Sequence, residues 1–220
     1  IPDNVETIGD FAFSCCSKLE SVTIGEGVTY LGECAFADCS SLQSVMIPAG
    51  VTDIGGVPFL HCGNLTGIWV DEANPNYASG EQGELLNKEK NVLLECPGGI
   101  QGDYTTPEGI KAIADSALSG CDKFTSVTIG DGVETIGKLA FAGCLSLNTV
   151  TIGNGLKSIS MGAFSGAPAL QTVVVGDSLE IIEDLAFSGC YALEEVTLPA
   201  TLKTIAWGVF MSCKNLSDVY

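Results

Sequence analysis

The sequence predicts an α/β repeat solenoid built from 23-residue rungs. A parallel β-sheet forms one face, short helical or irregular return arms close each rung, and one β-hairpin is inserted. Three observations lead there. Residues 127–149 read VTIGDGVETIGKLAFAGCLSLNT, and copies in the same register start at Val22, Val45, Val150, Val173 and Val196. An Ala-Phe pair and a cysteine recur with the same period, at Ala140-Phe141 and Cys144, for example. Each copy also opens on an alternating apolar run. A fixed period in this range marks an architecture whose units bury a core only by stacking on their neighbours.

The opening run is the strand. In L-x-x-V-x-I, here Leu19, Val22 and Ile24, alternation puts Val22 and Ile24 on one face and Ser21 and Thr23 on the other. Gly or Pro (Gly25, Pro48, Gly130, Gly153, Gly176, Pro199) then ends the strand. A second apolar pair follows, Val28 with Leu31 or Val133 with Ile136, and predicts a brief extended segment. The return arm carries the most regular column: Phe13, Phe36, Phe59, Phe141, Phe164, Phe187 and Phe210, with Leu118 as the variant. One large ring per rung beside a small residue fills the interior. Leucine three residues beyond the cysteine suggests a helical turn or short helix in this arm.

These units join into one solenoid over residues 1–220. Regular repeats fill 1–67 and 104–218, and residues 68–103 form an irregular repeat 36 residues long. That segment begins in register at Ile68-Trp69-Val70 and runs through the turn-rich DEANPNY. It then pairs ELLN with VLLE across Lys88–Asn91, the pattern of a hairpin. Ile1 aligns with Ile24 and Val219-Tyr220 starts another copy, so the chain reads as a fragment of a longer protein whose cut ends would favour end-to-end association.

The pattern resembles the BspA-like leucine-rich repeats of bacterial and protist surface proteins. The resemblance rests on I-G-x-x-A-F-x-x-C-x-x-L, here Ile136-Gly137, Ala140-Phe141, Cys144 and Leu147, and covers nearly the whole chain. It implies a secreted or surface-attached protein that adheres to host or cell-surface proteins. A passive spacer displaying another domain is the alternative, because the repeats are so uniform.

Charge narrows the partners further. There are 27 acidic residues against nine lysines and no arginine, a net charge of −18. Nucleic acid and anionic membrane surfaces both require basic protein surfaces, and no apolar run here is long enough to span a bilayer.

Chemistry finds little footing. Seven of ten cysteines (Cys16, Cys39, Cys62, Cys121, Cys144, Cys190, Cys213) share one column, where a free thiol packs as a small hydrophobe. Stacked rungs at about 5 Å also fall within disulfide reach, which keeps bonding between neighbouring rungs as the alternative. The sole histidine, His61, aligns with Asp38 and Gly143 and reads as an exposed turn residue. No C-x-x-C pair, ligand-spaced histidine or G-x-S-x-G elbow is present. No catalytic residue, metal site or cofactor is expected.

The outward strand positions are Thr23, Met46, Trp69, Thr105, Thr128, Thr151, Val174 and Thr197. Met46 beside Trp69 breaks a ladder of hydroxyls, and exposed aromatics are favoured anchors. Met46 and Trp69, extended by Tyr77 in the insertion, form the expected ligand-binding site. The other expectation is that the hairpin simply covers Trp69.

Overall fold

The computed structural model describes residues 1–220, which divide into two compact units, Ile1–Ile100 and Gln101–Tyr220. Each is a β-solenoid with two parallel ladders. In the first unit, Val45–Ile47 pairs with Ile68–Val70, and Thr7–Ile8, Tyr30–Leu31 and Asp53–Ile54 form the second ladder. In the second unit, Gly102–Thr105, Phe124–Ile129, Thr149–Ile152 and Thr172–Val175 lie side by side, and Glu195–Val196 pairs with Asp218–Val219. Its second ladder contains the pair Ala112–Ile113 and Thr135–Ile136 and the trio Ser158–Ile159, Ile181–Ile182 and Thr204–Ile205. Val127 faces Val150, and Val150 faces Val173, so the sequence period is the hydrogen-bonding register. Val22–Ile24 carries the same pattern without entering a ladder.

The predicted burial holds column by column. In the rung of residues 127–149, Val127, Ile129, Val133, Ile136, Ala140, Phe141, Cys144 and Leu147 are all buried, while Thr128 is exposed. The phenylalanines stack face to face. Phe13, Phe36 and Phe59 have centroids 5.0 and 5.6 Å apart; Phe141, Phe164, Phe187 and Phe210 are spaced at 5.0, 5.3 and 5.7 Å. The rung spacing sets this separation, which lies within the range of favourable offset stacking.

The return arms are not helical. No residue of the chain is in a helix, and each arm is a run of turns. The backbone explains the difference from expectation. Leu139 (φ 56°) and Gly143 (φ 69°) are left-handed, and the column equivalents Leu185 (φ 59°) and Gly189 (φ 77°) repeat the pattern. Two left-handed residues four apart cannot sit in a right-handed helix. The arm also spends its donors differently. Leu139, Phe141 and Gly143 donate to the carbonyls of Met161, Ala163 and Ser165 in the next rung, while Ala142 between them donates back to Leu139. Every second N–H thus bonds between rungs, as in a sheet. The apolar spacing that suggested a helix reflects a corner-turning rung.

The insertion is larger than the expected hairpin. Leu85–Asn87 and Val92–Glu95 pair antiparallel as expected, and Tyr77–Ser79 adds a third strand. Buried Asn74 anchors it. Its Nδ2 donates to the carbonyls of Pro48 (3.0 Å) and Val51 (2.8 Å), and its Oδ1 accepts from the amides of Asn76 and Tyr77 (both 2.9 Å). The segment then satisfies both ladders of its unit at one edge. The Ile68 amide donates to the Gly83 carbonyl (2.8 Å), the Val70 amide to Ser79 Oγ (2.8 Å), and the Ile54 amide to the Tyr77 hydroxyl (3.0 Å). Strand donors that would otherwise be left open are paired within the chain.

Candidate functional site

The first unit places Met46 directly opposite Trp69 across the pair of Val45–Ile47 and Ile68–Val70. Their neighbours Val45, Ile47 and Ile68 point into the core, so alternation turns Met46 and Trp69 outward. Met46 is 55% exposed and Trp69 41%. The insertion therefore flanks the indole and does not cover it.

Gly67 decides how Trp69 lies. A Cβ at position 67 would fall 2.5 Å from the indole Nε1 and 2.7 Å from Cε2. The indole folds back onto the strand and rests on the bare backbone of the residue two before it. The preceding rung carries Ser44 in this column, and a hydroxymethyl group at position 67 would lift the ring. Gly83 presses on the other side, since a Cβ there would come within 2.5 Å of the Gly67 Cα. Gly67 thus seats the aromatic ring, with Gly83 packed against Gly67, and the seat pre-organises the ring for contact.

Beside the indole is a groove of about 450 Å³, bordered by Asp71, Tyr77, Ser79, Lys88 and Lys90. Lys88 is tied down, its Nζ donating to the carbonyls of Glu72 and Asn74. Tyr77 lines the groove but is half-buried, and its hydroxyl is committed to the Ile54 amide. Burial pushes that hydroxyl's pKa up. The structure sets Trp69 opposite Met46 on the strand pair and beside Tyr77 in the groove, with Tyr77 serving chiefly as a brace. The sequence assigns no site role to Gly67, Gly83, Lys88 or Lys90. Only Gly67 left a signal, as the one glycine in a column of serine, threonine and acidic residues.

A larger concavity of about 910 Å³ lies in the second unit, bordered by Thr172, Val174, Glu195, Thr197 and Asp218. Half of its lining residues carry a hydroxyl or carboxylate and none is aromatic.

The groups that could carry chemistry are placed for packing. Cys39, Cys62, Cys144 and Cys190 are buried, and each thiol donates to a carbonyl 26 residues earlier, those of Phe13, Phe36, Leu118 and Phe164, at 3.1–3.3 Å. Burial pushes the Cys62 thiol up to about 12, so it stays protonated and unreactive. The column suits cysteine because it is small, apolar and able to give a turn carbonyl a second donor, since the Phe13, Phe36 and Leu118 carbonyls already accept the amides of Cys16, Cys39 and Cys121. All ten cysteines are free thiols, including exposed Cys15 and Cys16. His61 is an exposed, left-handed turn residue (φ 59°) with Nδ1 3.4 Å from the Asp38 carboxylate one rung earlier.

Several acids also have structural duties. Oδ1 of Asp10, Asp115 and Asp131 accepts the backbone amide of Glu33 (2.9 Å), Lys138 (2.7 Å) and Asn154 (2.7 Å), each 23 residues on. No three His, Cys, Asp or Glu side chains converge as a metal site, and no helix is long and apolar enough to cross a membrane.

The family profile described as the BspA type leucine rich repeat region matches residues 1–79 and 103–220 in six copies. A leucine rich cell surface protein from Faecalibacterium prausnitzii is 24% identical over 98% of this chain and 69% of its own, with a TM-score of 0.76. The pneumococcal vaccine antigen PcpA is 27% identical over all of this chain and 49% of its own, with a TM-score of 0.70. A leucine-rich repeat protein from Eubacterium ventriosum is 21% identical over 96% of this chain and 68% of its own, with a TM-score of 0.64. The first and third share the fold, and the chain spans about half the length of PcpA. No curated protein sequence matches significantly.

Proposed function

The chain belongs to the BspA-type leucine-rich repeat family, and on that premise we propose that it is a non-catalytic protein-binding module of the cell surface or the secreted fraction. Its contact face is the strand face around Met46 and Trp69, with Tyr77 bracing the edge of the groove. The observation that carries this reading is the Trp69 indole, exposed yet seated on Gly67 in a column otherwise rich in threonine. A pre-ordered aromatic loses little freedom when a partner covers it, and aromatic anchors dominate interface energetics. The partner is an extracellular or cell-surface protein. The description of the Faecalibacterium protein as a cell surface protein, and of PcpA as a vaccine antigen, supports that setting.

The test is binding of the purified chain to a panel of immobilised extracellular matrix proteins, with Trp69→Ala and Met46→Ser in parallel. The expected result is saturable binding to at least one, weakened by Trp69→Ala roughly thirtyfold or more, as for an aromatic hot spot of about 2 kcal/mol. Absence of binding, or binding indifferent to both substitutions, would leave the chain as a spacer.

A further inference from the structure

The second unit carries another exposed apolar surface, at the corner where each rung leaves the short ladder and enters its return arm. Two adjacent columns build it: Lys138, Met161, Asp184 and Trp207, and beside them Leu139, Gly162, Leu185 and Gly208. Bonds between rungs lock the columns together. The Leu139 amide donates to the Met161 carbonyl (3.1 Å) and the Leu185 amide to the Trp207 carbonyl (3.0 Å). The leucines lean over the glycines of the following rung. A Leu139 methyl lies 2.7 Å from where a Gly162 Cβ would be, and a Leu185 methyl 3.0 Å from that of Gly208. The result is a surface on which Leu139, Met161, Leu185 and Trp207 alternate with Lys138 and Asp184. Trp207 is 67% exposed, Met211 46%, Leu139 43% and Met161 37%. Lys138 and Asp184 in the same column are exposed as well, so it is the column that turns Trp207 outward.

Two carboxylates are fixed within this surface. Glu183 Oε2 accepts the Met161 amide (3.1 Å) and Asp184 Oδ1 accepts the Trp207 amide (2.9 Å). With Lys138, Met161 and Ala206 they border a groove of about 320 Å³. A second copy of the chain is a poor occupant, because each copy carries a net charge of −18 and like charges repel. Glu183 and Asp184 outnumber Lys138 at the groove, and apolar anchors interleaved with this net negative charge instead match apolar side chains interleaved with Lys and Arg. Met161 and Trp207 are two rungs apart, about 10 Å at ordinary strand spacing, close to the roughly 11 Å of two helical turns.

We propose that this corner is a docking surface for a cationic amphipathic helix of a partner protein, with apolar residues seated on Leu139, Met161 and Trp207 and its basic residues paired with Glu183 and Asp184. It is separate from the Met46–Trp69 face, and its test is independent of that one. The chain has two tryptophans, so Trp69→Phe leaves Trp207 as the only reporter. This protein is titrated at about 0.15 M salt with a Lys/Leu amphipathic peptide of about four helical turns and with its Glu/Leu counterpart. The Lys/Leu peptide is expected to shift Trp207 emission to the blue saturably, and the Glu/Leu peptide to leave it unchanged. Met161→Ser should weaken binding about fivefold or more, through lost apolar contact. Asp184→Asn keeps an acceptor for the Trp207 amide while removing the charge, and should weaken binding roughly two- to fivefold, the range of an exposed ion pair. Asp122→Asn, which bonds the Leu145 amide elsewhere in the unit, serves as control and should have no effect. The proposal is overturned by an unmoved emission spectrum, by equal response to both peptides, or by Met161→Ser and Asp184→Asn binding no more weakly than the control.

Discussion

A serine at position 67, the residue that the preceding rung carries at 44, would force the Trp69 indole off its seat. In a Trp207→Phe background, Gly67→Ser should therefore lower the fluorescence anisotropy of Trp69 and shift its emission to the red. Unchanged spectra would show that the ring finds its position without the glycine. Glu95 makes a different case. It is buried, its Oε1 accepts the Phe59 amide (2.9 Å), and its Oε2 has no partner. Burial raises its pKa well above the usual 4.5, so the folded chain holds this proton where the unfolded chain releases it. Stability associated with Glu95 is thus complete below about 4.5 and declines as pH rises toward the folded-state value. Glu95→Gln should match the parent in urea melts at pH 4 and become progressively more stable than it from pH 5 upward. A constant difference across that range would mean that the carboxyl does not titrate as described.

The return arm is the element whose character depends on backbone conformation. Ser212 is exposed and left-handed (φ 62°) in the column where Gly143, Gly166 and Gly189 stand. Ser212→Gly should stabilise the protein by about 1 kcal/mol by relieving that conformation. Gly189→Ala should cost about 1–2 kcal/mol even though its nearest heavy atom would be 3.6 Å away, because the penalty lies in φ and not in space. Denaturant melts measure both, and equal stability of either variant with its parent would contradict the strain argument. The phenylalanine column tests packing instead. Phe164 is fully buried between Phe141 and Phe187, and Phe164→Ala should cost about 3–5 kcal/mol in the same melts.

At the scale of the whole molecule, charge outweighs pairing. The net charge is −18, against exposed ion pairs such as Lys111–Glu134 and Lys203–Glu180, which contribute little. Self-repulsion destabilises the compact state and is screened by salt. The thermal midpoint should rise as sodium chloride is raised from about 0.01 to 0.5 M, across which the screening length falls severalfold. A flat or falling midpoint would place the carboxylates in favourable fields, such as the corner amides that Asp10, Asp115 and Asp131 accept.

The period, the register, the buried columns and the outward pair Met46–Trp69 were all legible in the residues, because stacking at a fixed repeat makes sequence neighbours into spatial ones. Val127 and Val150 could be paired by subtraction alone. The return arm was misread, since its apolar spacing suits a helix and nothing in Leu139 or Leu185 announces a left-handed backbone. The third strand of the insertion, Tyr77–Ser79, and the committed hydroxyl of Tyr77 were likewise hidden. They depend on contacts from a segment that breaks the period. Sequence by itself determined which side chains face in and which face out, because alternation and repetition are local rules. Only the tertiary structure decided what the outward ones do: that Trp69 is seated on Gly67, that Tyr77 is a brace, and that Met161 and Trp207 share one corner with two pinned carboxylates. Those outcomes depend on distances between non-equivalent columns, which no periodicity encodes.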